Sequence, residues 1–76
     1  MTFPLFARVR VTSLSHTLRD DGAPSPLLGT VVGNGTDGYI LVALDRPIAY
    51  WNRLPGSPWE PLSEIWSLPD NLVPAG

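Results

Sequence analysis

The sequence contains no cysteine and no lysine, and it has one histidine and one methionine. Without cysteine, no disulfide can stabilise the fold, and no thiolate is available for a structural zinc site or for nucleophilic catalysis. The single His16 has Asp20 and Asp21 as its nearby carboxylates, which are too few ligands at defined spacing for a metal site. We therefore expect a surface or capping role for His16, and neither a metal nor a cofactor.

Charge is also sparse. The five basic residues are all arginine and are spread along the chain, and the formal net charge is -2. A nucleic-acid footprint needs positive charge clustered on one face or element. The composition therefore argues against a nucleic-acid partner.

Long hydrophobic runs are absent as well. No window approaches the roughly 18 apolar residues of a membrane-spanning helix. The opening MTFPLFARVR lacks the apolar segment of a secretory signal. We expect a cytoplasmic protein that makes no membrane contact. Its 76 residues predict one domain, and because a domain of this size buries only about 60% of its unfolded surface, its core or an oligomer interface must stabilise it.

What the sequence does contain is short β-type segments, which predict an all-β fold of about five strands. Residues Phe6–Val11 alternate in polarity and predict the first strand. Leu27–Val32 and Tyr39–Leu44 predict the next two, joined by NGTDG, whose residues tolerate the positive φ of a tight hairpin. Gly29 lies inside the second strand, which indicates a bulge or a close backbone approach.

Two stretches are predicted as loops, residues 12–26 and 48–63. The first contains Asp20-Asp21-Gly22 and two prolines, which are incompatible with a regular ladder. Leu14 and Leu18 are expected to hold this loop against the core. The second has three prolines in seven residues, 55–61, which exclude a helix and a central strand.

The C-terminal part predicts three further short elements. Ile48–Trp51, at the start of the second loop, is expected to form a short strand. Glu64–Ser67 forms a better one, with Ile65 and Trp66 on opposite faces. LPDNL, residues 68–72, predicts a single 3₁₀ turn leading into a final strand at Val73.

This order of elements resembles the SH3-like small β-barrels, and the resemblance covers most of residues 1–76. The segment LPDNLV (68–73) is similar to the turn before the last strand of SH3 domains. RVRVTS, GTVVG and GYILVALD look like the KOW-type and photosystem-subunit barrels. The acidic-aromatic segment near the start of signalling SH3 domains is replaced here by FARVRVTS, so the resemblance does not imply binding of PxxP peptides.

One enzyme family shares the outline, the plasmid-borne type B dihydrofolate reductases, which are NADPH-dependent tetramers built around a central pore. A Val-Gln-Ile-Tyr run lines that pore, and the similar stretch here is Ser63–Trp66. Ile65 is retained, Glu64 stands at the glutamine position and Trp66 at the tyrosine position. The chain has no lysine for the family's cationic contact to the cofactor. This weaker resemblance implies an oligomeric pore-type enzyme as an alternative.

Aromatic and arginine residues around the second loop form the best candidate partner site. Aromatic rings on a proline-stiffened loop offer a large contact area at little entropic cost, and arginines can hold a carboxylate or phosphate in fork geometry. Core packing of the rings and simple solvation of the arginines are the alternatives. Trp66 is expected in the core, and Trp59 is expected to be the most exposed. The candidate residues are Arg46, Tyr50, Trp51, Arg53 and Trp59.

These observations predict a non-enzymatic interaction module that binds a protein partner, or itself, through residues 48–61. The pore-type reductase is the alternative. A third hypothesis is a KOW-like barrel that binds nucleic acid, with an affinity that falls steeply with salt; the acidic balance argues against it.

Overall fold

A computed structural model describes residues 3–20, 26–51 and 59–75, and these residues are almost entirely strand. No α-helix occurs within these ranges, so the predicted all-β class is confirmed. The elements are β1 Arg8–Val11, β2 Leu18–Arg19, β3 Leu28–Asn34, β4 Ile40–Trp51, β5 Trp59–Ser67, a 3₁₀ turn Pro69–Asn71 and β6 Leu72–Pro74.

The strands form one antiparallel sheet in the order β2-β4-β3-β1-β6. The long strand β4 also pairs with β5, which lies outside this linear order. The first half of β4 lies between β3 and β5, and its second half lies between β2 and β5. The sheet curls into a half-barrel, an architecture compatible with an SH3-like barrel.

The core lies on the concave face of this sheet and follows from the alternation of the strands. In β1, Val9 and Val11 point inward while the two arginines point outward. Leu14 and Leu18 pack against the core from the segment after β1, as predicted. The buried residues are Phe3, Val9, Val11, Leu27, Val31, Ile40, Val42, Leu44, Ile48, Ile65 and Leu72.

Gly29 lies where the backbones of β3 and β4 come close together, which is one of the two reasons expected for a glycine inside this strand. A Cβ at this position would lie 2.5 Å from Cγ1 of Val42 and 2.8 Å from the carbonyl oxygen of Ala43. The register shifts lie elsewhere, between Val31 and Gly33 of β3 and between Ala43 and the later part of β4. Bulges of this kind bend a strand and increase its twist.

The first strand is shorter than predicted. It begins at Arg8 rather than Phe6, because Phe6 adopts a φ of 66°, a left-handed conformation that extended chain cannot continue. The Phe6 backbone N–H donates to the Val31 carbonyl at 2.6 Å, which holds this turn against β3.

The described residues of the predicted loop 48–63, which are 48–51 and 59–63, are strand rather than loop. The strands expected at 39–44 and 48–51 form one continuous β4, and β5 begins at Trp59 rather than Glu64. Pro61 is accommodated because β5 pairs with β4 alone among the described strands, and edge strands tolerate proline. Residues 52–58 lie outside the described part of the chain. The other predicted loop, 12–26, contains the two-residue β2.

The turns agree with the sequence prediction. Gly38, in the turn between β3 and β4, adopts a φ of 89°, which side-chain-bearing residues rarely adopt. The expected 3₁₀ turn spans Pro69–Asn71 and leads directly into β6, which pairs with β1.

Candidate functional site

The three aromatic candidates lie on the two-stranded ribbon formed by the end of β4 and the start of β5. Trp51 is paired with Trp59, and Tyr50 is paired with Glu60. Tyr50 is 40% exposed and Trp51 is 38% exposed. We call Tyr50, Trp51 and Trp59 the ribbon aromatics. The structure brings Trp51 and Trp59 together as a cross-strand pair, and Tyr50 is their neighbour along β4.

Strand alternation distributes the ribbon aromatics over two faces. Tyr50 shares the face of Ile48, which is buried in the core. Trp51 and Trp59 share the opposite, convex face with Ala49. The two tryptophans therefore form a cross-strand aromatic pair at the outer surface of the ribbon.

A cation–π contact supports the Trp59 ring from β2. The guanidinium carbon of Arg19 lies 4.1 Å from the ring centroid, within the distance at which such contacts stabilise. Trp59 is half-buried, less exposed than Trp51, so the prediction that it is the most exposed tryptophan is wrong. Sequence reasoning missed Arg19, because its two-residue strand β2 is too short to show any periodicity.

Trp66 was expected in the core, and this prediction is wrong. It is 55% exposed, whereas its neighbour Ile65 is 5% exposed. The two residues do lie on opposite faces as predicted, and Ile65 faces the core because it is paired with the buried Val42 of β4. The wide indole ring of Trp66 remains on the convex face, where Glu64 also lies.

Arg46 uses the fork geometry that the sequence predicted, and its partner is a carboxylate of this chain. Both terminal nitrogens donate to the Asp20 carboxylate, with Nη2 at 2.9 Å from Oδ2. This hydrogen bonding raises the pKa of Arg46. The pair ties the segment after β2 to the bulged part of β4. The other predicted arginine, Arg53, lies outside the described residues.

A second arginine fork lies on the convex face beside the β4 bulge. Arg8 donates to both oxygens of the Asp45 carboxylate, with Nη1 at 2.8 Å from Oδ1, and to Oγ1 of Thr30 at 2.9 Å. The hydrogen bonds from Arg8 lower the pKa of Asp45. Both side chains are exposed, so the pair is screened by solvent and salt.

A cleft that the sequence did not predict lies at the turn between β3 and β4. It has a volume of about 450 Å³ and is lined by Gly35, Thr36, Asp37, Tyr39 and Trp66. Tyr39 is 39% exposed. We call this feature the Trp66 cleft. One sequence signal could have indicated that Trp66 is exposed. Glu64 and Trp66 are two residues apart on a strand and therefore share a face, and a face that carries a glutamate usually faces water.

Neither a metal centre nor a spanning helix is found in the part of the chain that the structure describes. Residues 3–20, 26–51 and 59–75 contain no group of three or more His, Cys, Asp or Glu side chains that could hold a metal ion. The same residues include no helix long and apolar enough to cross a membrane. His16 is exposed in a turn.

Comparison with known proteins adds no relative. No family model, curated protein or solved structure matches this chain. Inference about function therefore depends on the geometry alone.

The stretch similar to the pore-lining run of type B dihydrofolate reductases lies on β5. Its retained residue, Ile65, is buried in the core, and Glu64 and Trp66 lie on the convex face. Ile65 is thus not accessible to a substrate at the surface of this chain. Reductase activity stays an untested prediction, and no contact in the described residues favours it.

Proposed function

We propose that this chain is a cytoplasmic, non-enzymatic SH3-like barrel that binds a protein partner, or a second copy of itself, through the ribbon aromatics. The fold part of the proposal is supported by the curled antiparallel sheet and by the 3₁₀ turn immediately before the last strand. The binding part is supported by the exposed aromatic end of the β4–β5 ribbon.

The observation that carries the proposal is the cross-strand pair of Trp51 and Trp59 on the convex face of the ribbon; Tyr50 is next along β4 and points to the opposite face. None of the three belongs to the buried core cluster. Large aromatic side chains that remain partly exposed at one place provide contact area with few rotatable bonds, and they are enriched among binding hot spots.

Contacts within the chain hold the Trp59 ring and the backbone of Trp51 in place. Trp59 is packed beneath Arg19, and the backbone N–H of Trp51 donates to the Thr17 carbonyl at 2.9 Å. A ring that is already packed, as that of Trp59 is, loses little conformational entropy on binding. This favours a role in recognition over a role as loose surface.

The test compares the wild-type chain with Trp51→Ala, because Trp51 lies at the ribbon end outside the core. The mass of each chain in solution is measured by sedimentation over a range of concentrations. In a second measurement each chain is immobilised, and the proteins that it captures are identified by mass spectrometry. Leu5→Ala is the matched control, since Leu5 is also an exposed apolar residue, 54% exposed, at the turn before β1.

We expect Trp51→Ala to lose a captured protein or a self-associated species that Leu5→Ala retains, while circular dichroism shows both variants folded. Identical masses and identical captured proteins for all three chains would contradict the proposal. If Trp51→Ala unfolds, Trp51→Leu is used in its place, because leucine keeps apolar contact within the ribbon.

A further inference from the structure

The Trp66 cleft combines two aromatic rings with acidic side chains. Tyr39 and Trp66 both line it and are both partly exposed. Asp37 lines it as well, and Glu64 lies two residues before Trp66 on the same face of β5. The cleft volume of about 450 Å³ lies in the range of small-ligand sites.

Glycine residues allow the Trp66 ring to lie over the β3–β4 turn. A Cβ at Gly35 would lie 3.2 Å from Cζ3 of Trp66, closer than ordinary van der Waals contact. Along the sheet, Trp66 is paired with Leu41, and Leu41 is paired with Gly33. The absence of a side chain at Gly35 therefore lets the Trp66 ring pack closely against the turn and form one side of the cleft.

The Asp37 carboxylate is held in the turn by backbone hydrogen bonding. Its Oδ1 accepts the backbone N–H of Tyr39 at 3.2 Å, and the Gly35 N–H donates to the Tyr39 carbonyl at 2.7 Å. Within the described ranges Asp37 forms no ion pair, and the sequence places no arginine between Arg19 and Arg46, on either side of this turn. The negative charge at the cleft is thus not neutralised by a described basic side chain.

We propose that the Trp66 cleft binds an arginine side chain of a protein partner. An aromatic face attracts a cation through its quadrupole, and arginine is the more frequent partner in such contacts. The planar guanidinium can stack on a ring while its N–H groups donate to a carboxylate. The charge of Asp37 and Glu64 disfavours an anionic ligand.

The chain itself already uses this chemistry. Arg19 lies over the ring of Trp59 at 4.1 Å, at the opposite end of β5. The Trp66 cleft presents an equivalent indole ring, with a carboxylate added and with no arginine among its lining residues. This inference concerns a surface distinct from the ribbon aromatics and does not depend on their function.

The test uses the full ¹⁵N-labelled chain titrated with the peptide acetyl-Gly-Arg-Gly-amide and followed by the indole N–H resonances. The three tryptophans give three such resonances, and Trp66→Phe identifies the one at the cleft. The control peptide carries citrulline in place of arginine, because citrulline has a similar planar shape without the charge.

We expect a saturable shift of the Trp66 resonance with the arginine peptide, and binding at least about five-fold weaker with the citrulline peptide. The resonances of Trp51 and Trp59 serve as internal references and should move less. An unmoved Trp66 resonance, or an equal response to both peptides, would overturn the proposal.

A charge variant provides the second readout. Asp37→Asn keeps a side-chain oxygen to accept the Tyr39 N–H, so the turn is preserved while the charge is removed. We expect it to weaken binding of the arginine peptide about two- to five-fold. Glu60→Gln removes an exposed carboxylate from the far end of β5 and should leave binding unchanged. Equal affinity of wild type and Asp37→Asn would contradict the assigned role of this carboxylate.

Discussion

The guanidinium of Arg19 lies on the ring of Trp59, 4.1 Å from its centroid. Arg19 belongs to β2 and Trp59 to β5, so the contact crosses β4, which lies between these two strands. A strand of two residues makes few ladder hydrogen bonds. We therefore expect the cation–π contact to contribute to holding β2 on the sheet.

A double-mutant cycle on this pair measures that contribution. Arg19→Gln, Trp59→Leu and the double variant are compared with wild type by urea denaturation. We expect a coupling free energy of about 0.5–1 kcal/mol, the range for cation–π pairs at exposed sites. Strictly additive effects of the two substitutions, within about 0.3 kcal/mol, would show that the pair contributes nothing to stability.

Gly29 and Gly33 form a matched pair for testing the close approach between β3 and β4. A Cβ at Gly29 would meet a backbone carbonyl oxygen at 2.8 Å, whereas at Gly33 the nearest atom would lie 3.6 Å away. Gly29→Ala should cost about 1–3 kcal/mol through overpacking. Gly33→Ala should change the free energy of unfolding by less than about 0.5 kcal/mol. Similar costs for the two variants in urea denaturation would refute this reading of Gly29.

The sequence correctly predicted those parts of the fold that depend on residues close together in the chain. The alternation around Val9 identified the inward face of β1, and the glycine in the β3–β4 turn was expected for its positive φ. The turn at Pro69–Asn71 was predicted from LPDNL. Each of these features is determined by residues adjacent in the chain, and such local patterns can be recognised in a single sequence.

The errors arose where side chains distant in sequence decide the outcome. Trp66 was expected in the core, but Ile65 is the residue paired with the buried Val42 of β4, so a contact 23 positions away in sequence decides which of the two neighbours is buried. The Arg19–Trp59 contact joins residues 40 positions apart in the sequence, and no local pattern indicates it. Candidate sites on this chain depend on such contacts, so the Trp66 cleft could not be predicted from sequence alone.

The ion pair of Arg8 and Asp45 predicts a specific dependence of stability on pH. Hydrogen bonds from Arg8 lower the pKa of Asp45 in the folded state below its ordinary value of 3.8. A carboxyl group with a lowered folded-state pKa stabilises the fold above its unfolded-state pKa. This contribution is lost as the pH falls through the folded-state value.

We therefore expect wild type to be more stable than Asp45→Asn at neutral pH and this difference to shrink as the pH falls below 3.8. Urea denaturation at a series of pH values measures it. Because both side chains are exposed, high salt should reduce the difference at neutral pH. A difference between the two chains that is independent of pH would contradict the assigned role of the ion pair.

Truncation of the adjacent residues Ile65 and Trp66 should lower the free energy of unfolding by very different amounts. Ile65 is 5% exposed and belongs to the core, whereas Trp66 is 55% exposed on the convex face. Ile65→Ala should lower the free energy of unfolding by about 2–5 kcal/mol, because it removes buried contacts and leaves a cavity. Trp66→Ala should cost less than about 1 kcal/mol, although its side chain is much larger. Both values come from urea denaturation monitored by circular dichroism. A larger loss for Trp66→Ala than for Ile65→Ala would mean that the indole ring is a structural element, and Trp66 would then be unsuitable as an accessible wall of the cleft.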